Sequence, residues 1–443
     1  MVKIGFLEDE PIIIAAVAAK ISQTPFEKGS IEDLYEECRG KKLEEEVKRL
    51  ERNGEKEKAK ELEKEIKRRI ANSREMVNAI IEKSGHLIFG EFLPYAVFME
   101  GLSRFAALYL WRNVNAQNLV YGAGLEASFR VMRPNRYNTA VSELGKIAFE
   151  VYEKAVEQGV PEQDARYLLP EGTLTRMIFT APPRHLLKLG NNLCDSPLIE
   201  LKEIGSEINS IVSKEFGLKM PKEKPASEWN FWEYKSHPLK EEISLNYGRK
   251  EHSISLQMRI KGSLAMYAQL VRQRQILCDI ESLARIVGKG VFVLPASFPE
   301  SIKKEYQEIA SIAIGKQMKL LMNKDPDFVY FLLLGQEAWA DIYGRGFSVL
   351  ETSKSRSEGV AQWEIRNKVG IPLTRKLLKH PSITGNNKEI GPRCYRERRC
   401  IEPATFKTKK NICKAFLRDQ GIWKGSLPAL LDTLEEKYTT FKA

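Results

Sequence analysis

The sequence predicts an α+β chain built from two tandem copies of one domain, with a helical hairpin insert in the first copy. Three observations carry this expectation. Twice, a stretch alternating like a half-buried strand runs into an apolar helical pattern. Tyr95, Val97 and Met99 precede the helix Ser103–Arg112, and SISLQMRIKG precedes SLAMYAQLVR, Ser263–Arg272. Short motifs also recur at nearly one spacing. Ser103 compares with Ser263 at an offset of 160, while Tyr167–Pro170 (YLLP) compares with Phe331–Leu334 (FLLL), and Glu200-Leu-Lys202 with Glu364-Ile-Arg366, both at 164. Finally, the composition shifts abruptly to Lys, Glu and Arg between Ser30 and Lys83.

Taken in order, residues 2–7 (VKIGFL) read as a strand and Glu10–Ile21 as a helix with Ile12, Ala16 and Ala19 on its apolar face. In the insert, 31–83, Leu43, Val47 and Leu50 form one stripe and Leu62, Ile66 and Ile70 another, with Asn53-Gly54 between them. That spacing predicts an antiparallel helical pair whose apolar seam is satisfied mainly within the pair. Gly101 breaks the following strand, and Ser103 is placed to cap the next helix. A helix is expected from about Val141 to Gln158. Pro170 must end any helix through Arg166, and Arg184 opens a new apolar helical pattern. The Pro-rich polar stretch 219–240 reads as a linker. The expected domains are therefore 1–218, 222–375 and a basic C-terminal extension, 376–443.

At 443 residues the chain exceeds one typical core. No apolar run reaches the ~18–20 residues that span a membrane. The opening MVKIGFLEDE carries acids where a secretory signal has a basic start, so the cytoplasm is the expected compartment and no membrane partner is expected. Six scattered cysteines include no C-x-x-C pair, so neither a disulfide framework nor a zinc knuckle is supported, and no metal is expected. The formal charge is +11, but Arg375–Arg418 alone holds 13 Lys/Arg against Glu389, Glu397 and Glu402, a difference of +10. Any nucleic-acid partner is therefore assigned to this region, around Arg393, Arg396, Arg398 and Arg399, and not to the whole chain.

The stretch QLVRQRQILCDIESLAR, Gln269–Arg285, concentrates the chemistry. Arg272 and Arg274 at i and i+2 share a direction on extended backbone but diverge on a helix. If both hold one ligand, the backbone there is extended or irregular, and guanidinium forks suit phosphate oxygens. The plain alternative is a surface helix with solvated arginines. Cys278 lies in the stretch without a neighbour that marks a lowered-pKa thiol.

These motifs resemble the flavin-dependent thymidylate synthases. That family reads approximately G-H-x-S-x-x-E-H, then E-G-x-S-R, Q-x-x-R-H-R and S-x-R-Y, then A-R-x-x-L-P, a helix-opening arginine and A-Q-x-E-I-R. In the first copy Gly85-His86, Glu91 and Glu100-Gly-Leu-Ser-Arg104 fall on the pattern. Arg112 matches the first signature arginine, but Asn113 and Val114 replace the histidine and the second arginine. Glu126, Ser128 and Arg130 match the later serine–arginine part, Ala165-Arg166-Tyr-Leu-Leu-Pro170 matches cleanly, and Arg184 matches the helix arginine. The second copy is nearly the complement. Gln269, Arg272 and Arg274 match with Gln273 in place of histidine. Ser282 matches the serine, with Ala284 for the following arginine, and Arg356 and Ala361-Gln-Trp-Glu-Ile-Arg366 fit well. The resemblance covers roughly 1–30 and 80–370.

The resemblance implies methylation of dUMP to dTMP with FAD, methylenetetrahydrofolate as carbon donor and NADPH as reductant, without a cysteine nucleophile. It implies cofactor contacts from His86, Glu91, Arg112, Gln269, Arg272 and Arg274. It implies nucleotide contacts from Glu126, Ser128, Arg130, Arg166 and Ser282, with Arg184 polarising or anchoring the pyrimidine. Family enzymes are homotetramers with sites shared between subunits, so a tandem copy implies a homo-oligomer, a dimer imitating the tetramer. Two further readings stay open: a decayed paralogue that binds a nucleotide or RNA, and a flavin-dependent methyltransferase for another uridine substrate.

Overall fold

The structure, a computed structural model, describes residues 3–7, 11–23, 30–84, 96–116, 124–126, 139–181, 183–216, 241–246, 254–271, 276–359, 361–380, 390–397, 425–436 and 438–443. The linker expected at 219–240 lies outside them. The chain opens with β1 (Lys3–Leu7), α1 (Pro11–Gln23), α2 (Ile31–Arg39), α3 (Lys41–Arg52) and α4 (Lys56–Ser84). Next come β2 (Ala96–Ser103), α5 (Arg104–Ala116), β3 (Gly124–Glu126), α6 (Thr139–Glu157) and α7 (Glu162–Ala165), with a 3-10 turn over Arg166–Leu168. They are followed by β4 (Leu174–Thr180), α8 (Pro183–Cys194) and α9 (Ile199–Phe216). The later part runs β5 (Glu242–Asn246), β6 (Ser255–Ser263), α10 (Leu264–Leu270), β7 (Ile276–Ile280), α11 (Leu283–Lys289) and β8 (Val291–Leu294). It continues with α12 (Glu300–Met322), β9 (Glu337–Arg345), α13 (Phe347–Arg356), α14 (Trp363–Ile365) and α15 (Ile371–Leu377). A helix Leu427–Leu434 and β10 (Thr439–Lys442) complete it. No helix among the described residues is long and apolar enough to cross a membrane.

Two compact units interleave along the chain: Met1–Ala107 with Asn118–Met132 and Leu174–Glu228, and Leu108–Gln117 with Arg133–Thr173 and Trp229–Ala443. In the first unit the antiparallel sheet is ordered β1-β2-β4-β3. Ser103 caps α5 as expected, its hydroxyl accepting the Ala106 N–H at 3.0 Å. The strand does not stop at Gly101. It bulges there, between Glu100 and Leu102, because glycine takes φ +74 without a Cβ penalty. Val97, Phe98, Met99 and Glu100 are all buried, so β2 is covered on both faces instead of the expected one. Phe98 and its cross-strand partner Ile178 sit under α1 (Ile13, Ile14, Val17, Ile21) and α2 (Ile31, Leu34, Cys38).

The charged stretch holds three helices. Ser30 and Asp33 form a reciprocal capping box that starts α2, and Gly40 at φ +75 ends it before α3. The expected pair is α3 and α4, turning at Asn53-Gly54, and Val47, Leu50, Ala59 and Ile66 make their own small core. The seam is thus satisfied within the pair, but α2, together with Ile70 and Met76 of α4, packs on the sheet's core.

The second unit's antiparallel sheet is ordered β5-β6-β9-β7. Numbered within each sheet, both run first, second, fourth, third. Here the alternation expected of β6 holds: Leu256, Met258 and Ile260 are buried, while Gln257 is exposed. The outward Arg259 makes a two-pronged ion pair across to Asp341, at 2.7 and 2.9 Å. Glu171 N–H and Gly172 N–H donate to Leu332 O and Tyr330 O at 2.6 and 2.9 Å, and Leu334 N–H donates to Leu169 O at 2.8 Å. The two segments that matched in sequence, YLLP and FLLL, therefore lie antiparallel with Pro170 opposite Leu333.

The end of the expected basic extension is built into this unit. β10 pairs antiparallel with β8, and Phe441 stacks on Phe292 at 5.3 Å, edge-on to Tyr306.

Candidate functional site

Buried side chains in the second unit tie motif to motif. Ser263, the last residue of β6, starts α10: its hydroxyl accepts the Met266 N–H at 3.0 Å. Glu364 of the A-Q-W-E-I-R stretch holds that serine, accepting its N–H at 2.7 Å and its O–H at 2.5 Å. Tyr167, from the A-R-Y-L-L-P stretch, donates its hydroxyl to the same carboxylate and accepts an N–H from Gln362. Burial raises the pKa of Glu364, opposed by the hydrogen bonds from Ser263 and Tyr167. Burial and the nearby Glu364 charge push Tyr167 well above its ordinary value, so it stays protonated and donating.

A second set of contacts joins the same two stretches. The Trp363 ring stacks on Tyr167 with centroids 6.2 Å apart, and its indole N–H donates to Asp164 at 2.8 Å. Ser297 donates to the other Asp164 oxygen at 2.6 Å. Burial pushes the Asp164 pKa up to about 6, against these hydrogen bonds and the pull of Arg166. Every nitrogen of the Arg366 guanidinium is engaged. Nε donates to Leu434 O at 2.9 Å, Nη1 to Gly359 O and Ala361 O at 2.8 and 2.7 Å, and Nη2 to the Glu436 carboxylate.

Three of the sequence-predicted site residues have described side chains, all in this unit. Arg166 begins the 3-10 turn, 2% exposed. Gln269 lies in the last turn of α10, 9% exposed. Ser282 caps α11, its hydroxyl accepting the Arg285 N–H at 3.4 Å, beside Glu281, which binds the Trp339 N–H at 2.7 Å and Arg285 at 3.1 Å. Arg112, Glu126 and Arg184 are placed by backbone only, in α5, β3 and α8. His86, Glu91, Ser128, Arg130, Arg272 and Arg274 lie outside the described residues, as does the backbone expected to be extended at Arg272–Arg274. In the basic region Arg393 pairs with Glu358 at 3.3 Å and Arg396 donates to Gly391 O at 3.2 Å, while Arg398 and Arg399 lie outside.

Sequence reading missed Tyr167 and Asp164 as polar hubs. Tyr167 occupies a variable place in A-R-x-x-L-P, so only the residue it aligns with at the 164 offset, Phe331, hinted that its hydroxyl has a purpose of its own.

In the first unit the same serine–glutamate geometry recurs. Glu200 accepts the Ser103 N–H at 2.6 Å and its O–H at 2.7 Å.

Residues 14–216 match the family model described as thymidylate synthase complementing protein. A flavin-dependent thymidylate synthase of Sulfurisphaera tokodaii is 28% identical over 129 residues, 27% of this chain and 50% of that protein. Another, of Sulfolobus acidocaldarius, is 29% identical over 119 residues, 25% of this chain and 46% of that protein. The chain thus spans about half the length of the curated relatives it matches. No solved structure matches. Residues 14–216 are thus similar to the thymidylate synthase complementing protein family, and about a quarter of the chain is similar to flavin-dependent thymidylate synthases.

Proposed function

We propose that the chain is a flavin-dependent thymidylate synthase-like methyltransferase, converting dUMP to dTMP with methylenetetrahydrofolate as carbon donor, FAD as cofactor and NADPH as reductant. Its site is composite, drawing on two diverged copies of one domain with the helical segment inserted in the first, and it works as a cytoplasmic homo-oligomer. The observation that carries this reading is the hydrogen bond from Tyr167 to Glu364. The first copy keeps A-R-Y-L-L-P and the second keeps A-Q-W-E-I-R, and these two retained stretches grip each other. Support for duplication comes from the shared strand order and from Ser103–Glu200 and Ser263–Glu364, which repeat one geometry at the repeat spacing.

The donor set fits a flavin nucleotide. Gln269, Arg272 and Arg274 offer an amide and two guanidinium forks in six residues, the chemistry that a pyrophosphate demands. When bound, the flavin supplies the redox chemistry that no side chain here provides. In this proposal Arg166, Ser128 and Arg130 anchor the nucleotide, and Arg184 stabilises charge on the pyrimidine oxygen. His86 and Glu91 support the cofactor, and Glu126 and Ser282 complete the substrate contacts.

The decayed-paralogue reading draws on departures from the signature, Asn113, Val114, Gln273 and Ala284. Visible absorbance of the purified protein separates the two. Flavin absorbance that responds to added dUMP, with dTMP formed when folate and reductant are supplied, is the expected result. Protein that binds neither FAD nor dUMP would leave the paralogue.

A further inference from the structure

Both units fix a strand-to-helix junction with a buried serine–glutamate pair, so that pair by itself serves the fold. The second unit adds two polar groups to it. Tyr167, fully buried, donates to Glu364, and Gln362 donates to Tyr167. At the repeat offset of 164 their counterparts are Phe331 and Leu198, neither of which carries a hydrogen-bonding side chain. Burying a hydroxyl and an amide costs free energy unless they are paired, and a paired network rigidifies what it joins. The half with this network is also the half that keeps Gln269, Arg272 and Arg274.

What it joins is specific. On one side Tyr167 directly follows Arg166 in the 3-10 turn, and the Asp164–Trp363 hydrogen bond and the Trp363–Tyr167 stack hold that turn against Gln362–Glu364. On the other side Glu364 holds Ser263, which caps α10. That helix is seven residues long and wholly buried, ends in Gln269-Leu270, and is followed after Val271 by Arg272. A short buried helix passes a displacement at its start to its end with little loss, because close-packed interiors comply poorly.

We propose that Tyr167 is a positioning residue: through Glu364 and Ser263 it fixes α10, and with it Gln269 in the helix's last turn, in register with Arg166, so that nucleotide and flavin bind cooperatively. The ligands rest on the functional reading above; the link itself does not. Coupling of this kind is reciprocal, each ligand tightening the other by the same factor.

The test uses the full-length chain and Tyr167→Phe, the residue its repeat partner carries. Backbone hydrogen exchange of Ala268–Val271 is expected to quicken. FAD affinity should weaken about tenfold, as for one lost buried hydrogen bond, and added dUMP should no longer tighten FAD. A purely structural role would lower the melting temperature and leave the dUMP effect on FAD in place. Gln362→Leu keeps the Tyr167–Glu364 bond and is expected to keep the coupling. If Tyr167→Phe does not fold, Glu364→Gln carries the same test. Unchanged exchange in α10 together with an unchanged dUMP effect overturns the proposal. Wild-type protein that binds no FAD overturns the functional reading instead, and the exchange measurement alone then decides the link.

Discussion

Asp164 shows how one buried carboxylate sets a pH dependence. Its folded pKa of about 6 lies above the ordinary 3.8, so between those values the folded state holds a proton that the unfolded chain has released. Stability from this group is therefore greatest below about pH 4 and falls as pH rises through 6, by roughly 3 kcal/mol for a two-unit difference. Asn in its place keeps an acceptor for Trp363 and offers an N–H to the Ser297 oxygen, without the charge. Asp164→Asn is expected to match the wild type near pH 4 and to exceed it above pH 7. Thermal melts of both proteins across pH 4–8 check this, and parallel curves would count against it. Nothing local in QDARYLLP marks Asp164, because its burial comes from Ser297 and Trp363, more than 130 residues away.

At the scale of elements, what was legible followed contact distance along the chain. The turn at Asn53-Gly54 and the seam of α3 and α4 were readable because their partners lie within one helical hairpin. The Ser103 and Ser263 caps were readable because a cap acts three residues ahead. The role of α2 was not, since Leu34 and Ile31 meet Phe98 and Ile178, and Ile31 N–H donates to Glu100 at 2.8 Å, all long-range contacts. Replacing Leu43–Leu62 with a short Gly-rich turn should leave the sheet's melting nearly unchanged. Leu34→Ala should cost ~2–4 kcal/mol, the usual range for a buried leucine. Circular dichroism melts of the two variants should therefore rank the small change as the worse one. The packing of the chain's end was not legible for another reason. A charge count over Arg375–Arg418 stops short of Leu427, Leu430, Leu431 and Leu434, all buried, and of Phe441, which stacks on Phe292. Phe441→Ala should lower stability by about 2 kcal/mol. Removing 425–443 should cost more, since it also strips Leu434 O and Glu436 from the Arg366 guanidinium. A truncated chain that melts like the full one would show that this end is not part of the unit's core.

At the scale of the whole molecule, the question is whether a site belongs to one chain or is shared between chains. The candidate site's motifs were legible singly, but which of them meet was not, because no sequence pattern encodes contact between Arg166's stretch and Glu364's. Tyr167 and Glu364 of the same chain are hydrogen-bonded, and on the proposed function this predicts that Arg166 and Arg272 serve one site from one chain. Consider Arg166→Lys, which keeps the charge but loses the guanidinium fork, and Arg272→Ala. The first should bind FAD yet respond weakly to dUMP. The second should lose about 1.5–3 kcal/mol of FAD affinity, as for one charge-assisted contact. If both residues act within one chain, every site in a mixture of the two variants carries one defect. Co-expressing them should then restore neither the dUMP-dependent change in flavin absorbance nor turnover. Were the two arginines contributed by different chains, mixed oligomers would contain some sites with both intact, and the response would return in proportion to their number. Measuring that response in co-expressed protein against each variant alone decides between the two arrangements, and restoration would sink the single-chain site.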